Sequence, residues 1–385
     1  MNISRQEFEP LSGRLREFLS KISTDTFNSC MQCGVCSASC PLYSFVKTPF
    51  NIRKLIYQIQ GEKEGFEKED ILYACTTCGL CSIRCPRQIN TIELIRGIRH
   101  LIASTCFLPQ PYRQIIFSMK TFGNPWSEER EKRILWATEL NIPLYKEGIE
   151  YLLYTCCTNV FDINRKKSLL ALSQLFRKAG VSFGIIGKEE NCCGESIRKT
   201  GGEREYQELI RKNLHTLEKI KAKKMVVVSP HCYYTFKNEY PTLNETLEIF
   251  HYTELLDHLI QKGQLTPKNF LRKKIIYHDP CYLCRHCKVQ EEPRDIIHAI
   301  SGAQLIEFEK NREKSLCCGG GGGNIWMGGN NIKLSNLLIE EALEKGAEIL
   351  ASACPYCLKM LEYSNQIMGN RLSIMDVAEI LNEVT

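Results

Sequence analysis

Apolar positions in the first 25 residues recur at helical spacing and predict one amphipathic helix over 1–25. Helical patterns follow at 51–60, 66–73 and 91–105, separated by short runs rich in cysteine. Residues 106–149 read as a connecting arm, with turn chemistry at Gly123-Asn124-Pro125 and a helical pattern at 128–138. From about residue 150 the texture changes. Short apolar, β-branched runs at 150–155, 181–186, 225–229, 274–278, 303–308 and 347–352 alternate with amphipathic stretches at 163–179, 203–221, 253–262, 292–300, 331–345, 355–367 and 375–382. Strand–helix alternation of this kind predicts α/β units built on largely parallel sheets.

This second region repeats itself. YLLYTCC, NCCG and VVVSPHC in the first half are answered by IIYHDPC, LCCG and LASACPYC in the second, in the same order and at nearly the same spacing. The expected organisation is a helical domain over 1–105, the arm over 106–149, a first α/β lobe over 150–265 and a second over 266–385.

Composition alters this picture in one respect. Hydrophobic and charged fractions are those of an ordinary soluble domain, but the 385 residues include 21 cysteines. Disulfides and metal ligation are the two explanations. The start, MNISRQEFEPLSGRLREFL, is charged and lacks a signal-peptide core, and no run of about 18 apolar residues occurs. A cytoplasmic chain with reduced, metal-binding thiols is expected, with any membrane association supplied by a partner subunit. The formal charge of +6 is spread over pairs such as Lys166–Lys167, Lys223–Lys224 and Lys273–Lys274. These read as solvated faces, which argues against a nucleic-acid partner.

Cys30, Cys33, Cys36 and Cys40 form C-x2-C-x2-C-x3-C closed by Pro41, and Cys75, Cys78, Cys81 and Cys85 repeat it, closed by Pro86. This is the two-cluster bacterial ferredoxin pattern, in which the fourth cysteine of each run serves the other cluster. Cys30, Cys33, Cys36 and Cys85 are assigned to one [4Fe–4S] cubane, and Cys75, Cys78, Cys81 and Cys40 to a second. The helical insert between the runs resembles the ferredoxin domain of succinate-dehydrogenase-type iron–sulfur subunits.

The second lobe offers five thiols, Cys281, Cys317, Cys318, Cys354 and Cys357, more than a cubane or a zinc ion needs. Adjacent cysteines chelate a single ion poorly and suit a cluster of several irons. The first lobe offers Cys157, Cys192, Cys193 and Cys232, but Ser229 stands where Cys354 stands in the second. Those four thiols suit a further [4Fe–4S] cluster or a structural zinc, or remain without metal.

The second-lobe motifs HDPCYLCRH, SLCCGGGGG and ACPYC, in a cysteine arrangement that occurs twice behind a two-cluster module, resemble the heterodisulfide reductase family, specifically the catalytic subunit with fused ferredoxin and CCG parts. The resemblance runs from about residue 25 to 385. It implies a non-cubane [4Fe–4S] cluster on Cys281, Cys317, Cys318, Cys354 and Cys357 as the catalytic centre, acting on a disulfide. It also implies partner subunits in a redox complex, either a flavoprotein or a membrane cytochrome or quinone module. A non-catalytic relay between such modules is the competing expectation, and Ser229 favours it.

Other residues are ambiguous. The run Gly319 to Gly323 has no lysine-threonine tail, so it is expected to bring backbone N–H groups to cluster sulfurs rather than to bind phosphate. Cys284 and Cys287 read as accessory thiols, Cys156 as a small buried residue and Cys106 as structural. His231, His278 and His286 lie near cluster cysteines and are candidates for hydrogen bonds to them or for proton donation. Tyr233, Tyr234 and Phe236 are expected to pack the helix after Cys232.

Overall fold

The computed structural model describes residues 26–61, 70–104, 108–240, 243–328 and 331–385. The expected N-terminal helix, part of the 66–73 helix and Cys106 lie outside the described residues. The remainder is a helical N-terminal region followed by two α/β lobes.

In the N-terminal region short helices Val35–Ser39 and Leu80–Ile83 follow the cysteine turns. Longer helices Ile52–Gln60 and Thr91–Ser104 bury Ile52, Leu55, Ile56, Leu94, Ile95 and Ile98 behind them. Asn51 starts the first of these by accepting from the N–H groups of Arg53 and Lys54, which would otherwise lack partners. The expected arm is largely helical, with Gln110–Phe122 and the turns Arg130–Ile134 and Leu135–Glu139.

The first lobe carries β1 (Tyr151–Tyr154), β2 (Phe183–Ile185), β3 (Lys224–Val227) and β4 (Glu248–His251) in the order β2-β1-β3-β4, all parallel. The second carries β5 (Lys274–His278), β6 (Gln304–Glu307), β7 (Ile349–Ser352) and β8 (Ser373–Asp376) in the order β6-β5-β7-β8, also parallel. The central strands are buried on both faces, which is why they read as continuous apolar runs. The edge strands β4 and β8 are additions to the expected set. Each has four residues of mixed polarity and leads directly into a helix, so its short pattern merges with the helical one.

One hydrophobic core spans both lobes, and the second lobe keeps another of its own around Ile276, Leu350 and Leu361. Helix Lys166–Lys178 of the first packs on Val377–Val384 of the second, with Ser168 donating to Glu379 at 2.6 Å and Arg165 paired with Glu362 beside it.

Candidate metal centres

Both sheets reverse direction of growth between their central strands, β1/β3 and β5/β7. In such sheets the crevice beyond the strands' carboxyl ends is open to a ligand. The cysteines occupy these crevices. Cys157 lies three residues beyond β1 and Cys281 three beyond β5. Cys232 and Cys357 each begin a helix opened by a proline, Pro230 and Pro355, whose missing N–H costs nothing at that position. Strand register places Ser229 opposite Cys354 in the repeat and Cys156 opposite Pro280.

In the second lobe the thiols of Cys281, Cys317, Cys318, Cys357 and Cys354 stand within hydrogen-bonding reach of one another in that order. All five are buried. Cys317 and then Cys357 hold the Cys318 thiol well below the ordinary range. Burial opposes ionisation of Cys354, but Cys357 and His231 outweigh it and its thiol is also held well down. Backbone helps as well, Gly319 N–H lying 3.3 Å from Cys317 Sγ. His278 brings a ring nitrogen within 4.8 Å of the Cys318 and Cys357 sulfurs, and burial depresses its pKa to about 4.

His231 comes from the first lobe yet reaches Cys354 of the second. Its Nδ1 is 3.2 Å from Glu195 Oε1, a charge contact, and its ring lies 4.0 Å from that of Tyr282 and 4.5 Å from that of Tyr356. Burial works against its charge, but Glu195 and the Cys354 thiolate prevail and raise its pKa to about 10. His286 belongs to a different site, packed where a side chain on Gly79 would stand. Burial lowers its pKa to about 3.

In the first lobe Cys157, Cys192, Cys193 and Cys232 are likewise linked in series. The series continues to Cys156, whose residue type and position suggested only a small buried side chain. Arg133 Nη2 lies 3.0 Å from Cys157 Sγ, while its Nη1 pairs with Glu190 at 2.6 Å. The connecting arm thus supplies a buried cation to this lobe.

In the N-terminal region one cavity is lined by Cys40, Cys75, Cys78 and Cys81, and another by Cys30, Cys33, Cys36 and Cys85. The first faces the second lobe. Cys78 is in side-chain contact with Cys317, and Cys317 Sγ lies 3.3 Å from Thr76 Oγ1. Gly321 and Gly322 make that approach feasible, because a Cβ on either would stand 2.4 Å from the carbonyl oxygen of Thr76 or of Cys75. Part of the glycine run therefore serves docking between domains, not sulfur hydrogen bonding alone.

Buried arginines fasten the junction. Arg99, with no exposed surface, donates to the carbonyls of Leu72, Cys75, Lys199 and Gly322 and so ties all three units together. Arg285, in the π-helical turn Tyr282–His286, donates to the carbonyls of Cys78, Glu313 and Ser315. Cys284 turns away from the thiol series and donates to Arg312 O at 3.3 Å. Cys287 stays partly exposed.

All twenty described cysteines are free thiols. Buried thiols in series, backbone N–H groups aimed at sulfur and buried guanidiniums form a donor set that fits iron–sulfur clusters, whose thiolate ligands carry negative charge needing compensation.

Comparison with known proteins agrees with this chemistry. Residues 26–89 match the family described as 4Fe-4S dicluster domain, and residues 151–237 and 275–362 each match that described as cysteine-rich domain. The chain is 36% identical to the probable iron-sulfur-binding oxidoreductase FadF of Bacillus subtilis, over 74% of this chain and 42% of that one. It is 34% identical to the EtfAB:quinone oxidoreductase of Syntrophomonas wolfei, over 75% and 43%. It therefore spans about two-fifths of the length of these two relatives. With a subunit of the dihydromethanophenazine:CoB--CoM heterodisulfide reductase of Methanosarcina barkeri the identity is 28% over 95% of both chains. No described helix is long and apolar enough to cross a membrane. The chain thus consists of a 4Fe-4S dicluster domain followed by a duplicated cysteine-rich domain, an iron–sulfur architecture, and is similar over nearly its whole length to that heterodisulfide reductase component.

Proposed function

We propose that the chain is the iron–sulfur subunit of a heterodisulfide reductase-like complex, exchanging electrons between its dicluster domain and a five-cysteine centre that reduces a disulfide or a partner's redox group. Cys30, Cys33, Cys36 and Cys85 would hold one cubane, and Cys40, Cys75, Cys78 and Cys81 the other. Cys281, Cys317, Cys318, Cys354 and Cys357 would hold a non-cubane [4Fe–4S] cluster. When bound, the clusters supply one-electron storage in series; the chain's own residues position them and compensate their charge. The observation that carries this reading is the contact of Cys78 with Cys317, one from each proposed ligand set. Arg285 fixes it by holding the Cys78 carbonyl at 2.8 Å, and Arg99 holds the Cys75 carbonyl at 2.8 Å.

A second reading, a relay between a flavoprotein or membrane quinone module and another enzyme, draws on a separate observation. All five second-lobe thiols are buried, with Tyr282, Tyr356 and His231 packed beside them. The relative named EtfAB:quinone oxidoreductase is consistent with such a role. EPR on anaerobically purified protein under mild oxidation, with and without a panel of thiols, separates the two. A signal that requires a thiol and vanishes in Cys317→Ser supports disulfide chemistry. Reduced-cubane signals alone, indifferent to thiol, support the relay.

A further inference from the structure

The first lobe lacks the cysteine that Ser229 replaces, and on sequence grounds it has one thiol too few to match the second. The structure supplies another from a different position. We propose that Cys156 is the fifth thiolate ligand of the first lobe, so that Cys156, Cys157, Cys192, Cys193 and Cys232 hold an iron–sulfur cluster rather than zinc. The inference rests on the reading that these cysteine-rich lobes are cluster sites.

Three observations carry it. The first is connectivity. The second lobe runs Cys281, Cys317, Cys318, Cys357, Cys354, and the first runs Cys157, Cys192, Cys193, Cys232, Cys156. Cys156 thus meets Cys232 as Cys354 meets Cys357. The second is the backbone. Cys156 has φ 62° and ψ 133°, a conformation that disfavours any residue with a Cβ, and Pro280 could not adopt it at the equivalent position. Strain of this kind persists where the surroundings impose it, commonly at functional sites. The third is the position Cys156 would replace. Ser229 Oγ is fully buried and has no hydrogen-bond partner among the described residues.

The rest of the lobe suits an anionic cluster. Gly194 N–H lies 3.5 Å from Cys192 Sγ, repeating the contact of Gly319 with Cys317. Arg133 places a buried positive charge against Cys157. Five thiolates exceed the four that a structural zinc takes.

The test is iron, sulfide and zinc content with Mössbauer spectra, on the full-length protein reconstituted anaerobically. Cys156→Ala should lose about four irons per chain, and adding Ser229→Cys should restore them by returning a thiol to the vacated position. Cys156→Ser should keep its iron with one altered quadrupole doublet, a readout that holds if the alanine variant folds poorly. Cys354→Ala is the control for the second lobe. If it loses iron while Cys156→Ala and Cys156→Ser match wild type in iron and spectrum, the fifth-ligand assignment is wrong and the cluster reading of the lobes stands. If none of the three differs from wild type, both fail. One zinc per chain in the wild type, unaffected by Cys354→Ala, also overturns the proposal.

Discussion

Cys78 and Cys317 lie in different domains, yet their thiols are in contact, and the second loop of the dicluster domain rests on the glycine run that follows Cys317. A junction this close would let the proposed clusters exchange electrons directly while leaving their ligand sets separate. Replacing Cys318, whose thiol stands against Cys317 and Cys357, should abolish the second-lobe signal and stop electron throughput. Both cubane EPR signals should persist in Cys318→Ala. Their joint loss would contradict separate sites.

Gly321→Ala tests the docking itself. The added methyl would stand 2.4 Å from Thr76 O, a backbone atom that cannot rotate aside. Overpacking of this sort costs about 1–3 kcal/mol. The expected outcome is a lower Tm together with weaker spin–spin coupling between the dicluster domain and the second lobe. Unchanged coupling would show that the glycine is not needed for the approach.

Much of this junction is illegible in the sequence. The cysteines announce themselves because cluster spacing is local, within one turn of chain, and the lobes because β-branched runs alternate with amphipathic helices. Arg99, Arg133 and Arg285 give no such signal. Their partners are backbone carbonyls or side chains distant in sequence, such as Gly322 for Arg99 and Glu190 for Arg133, and only the fold brings them together. His231 stands out in the sequence for its neighbour Cys232, but it acts across the lobe boundary on Cys354. Cys156 does not stand out, because the repeat puts Pro280 in its place and its unusual backbone angle cannot be read from residue type.

Arg133 carries a prediction with two readouts. Its pair with Glu190 is almost completely buried, and Glu190 also accepts from Thr155 Oγ1 at 2.8 Å. Arg133→Met strands that carboxylate and should destabilise the protein by about 3–5 kcal/mol. Burial already pushes the Glu190 pKa up despite the arginine, so Arg133→Met/Glu190→Gln should recover most of the loss. In redox titration Arg133→Met should make a first-lobe cluster harder to reduce, since it removes a cation beside Cys157, and the double variant, which removes the Glu190 charge as well, should shift less. Equal potentials in wild type and Arg133→Met would mean that Arg133 serves stability alone.

Asp376 gives a pH dependence away from the cysteines. Its Oδ1 accepts from Ala378 N–H at 2.9 Å, capping the last helix, and from Tyr252 hydroxyl at 2.7 Å. Burial, with the nearby charge of Glu379, pushes its pKa up to about 7, against the opposing effects of those two hydrogen bonds and of Arg165. An unfolded aspartate titrates near 3.9. The folded state therefore holds this proton more tightly, so the contribution to stability is full below about pH 4 and is lost as pH rises through about 7. The loss is on the order of 4 kcal/mol at most. Asn at this position keeps an acceptor for both hydrogen bonds and has no proton to lose. The Tm of Asp376→Asn relative to wild type should accordingly climb between about pH 4 and pH 7 and level off above. A difference that is flat across this window would mean that Asp376 is ionised in the fold throughout, with Arg165 and the helix N-terminus outweighing its burial.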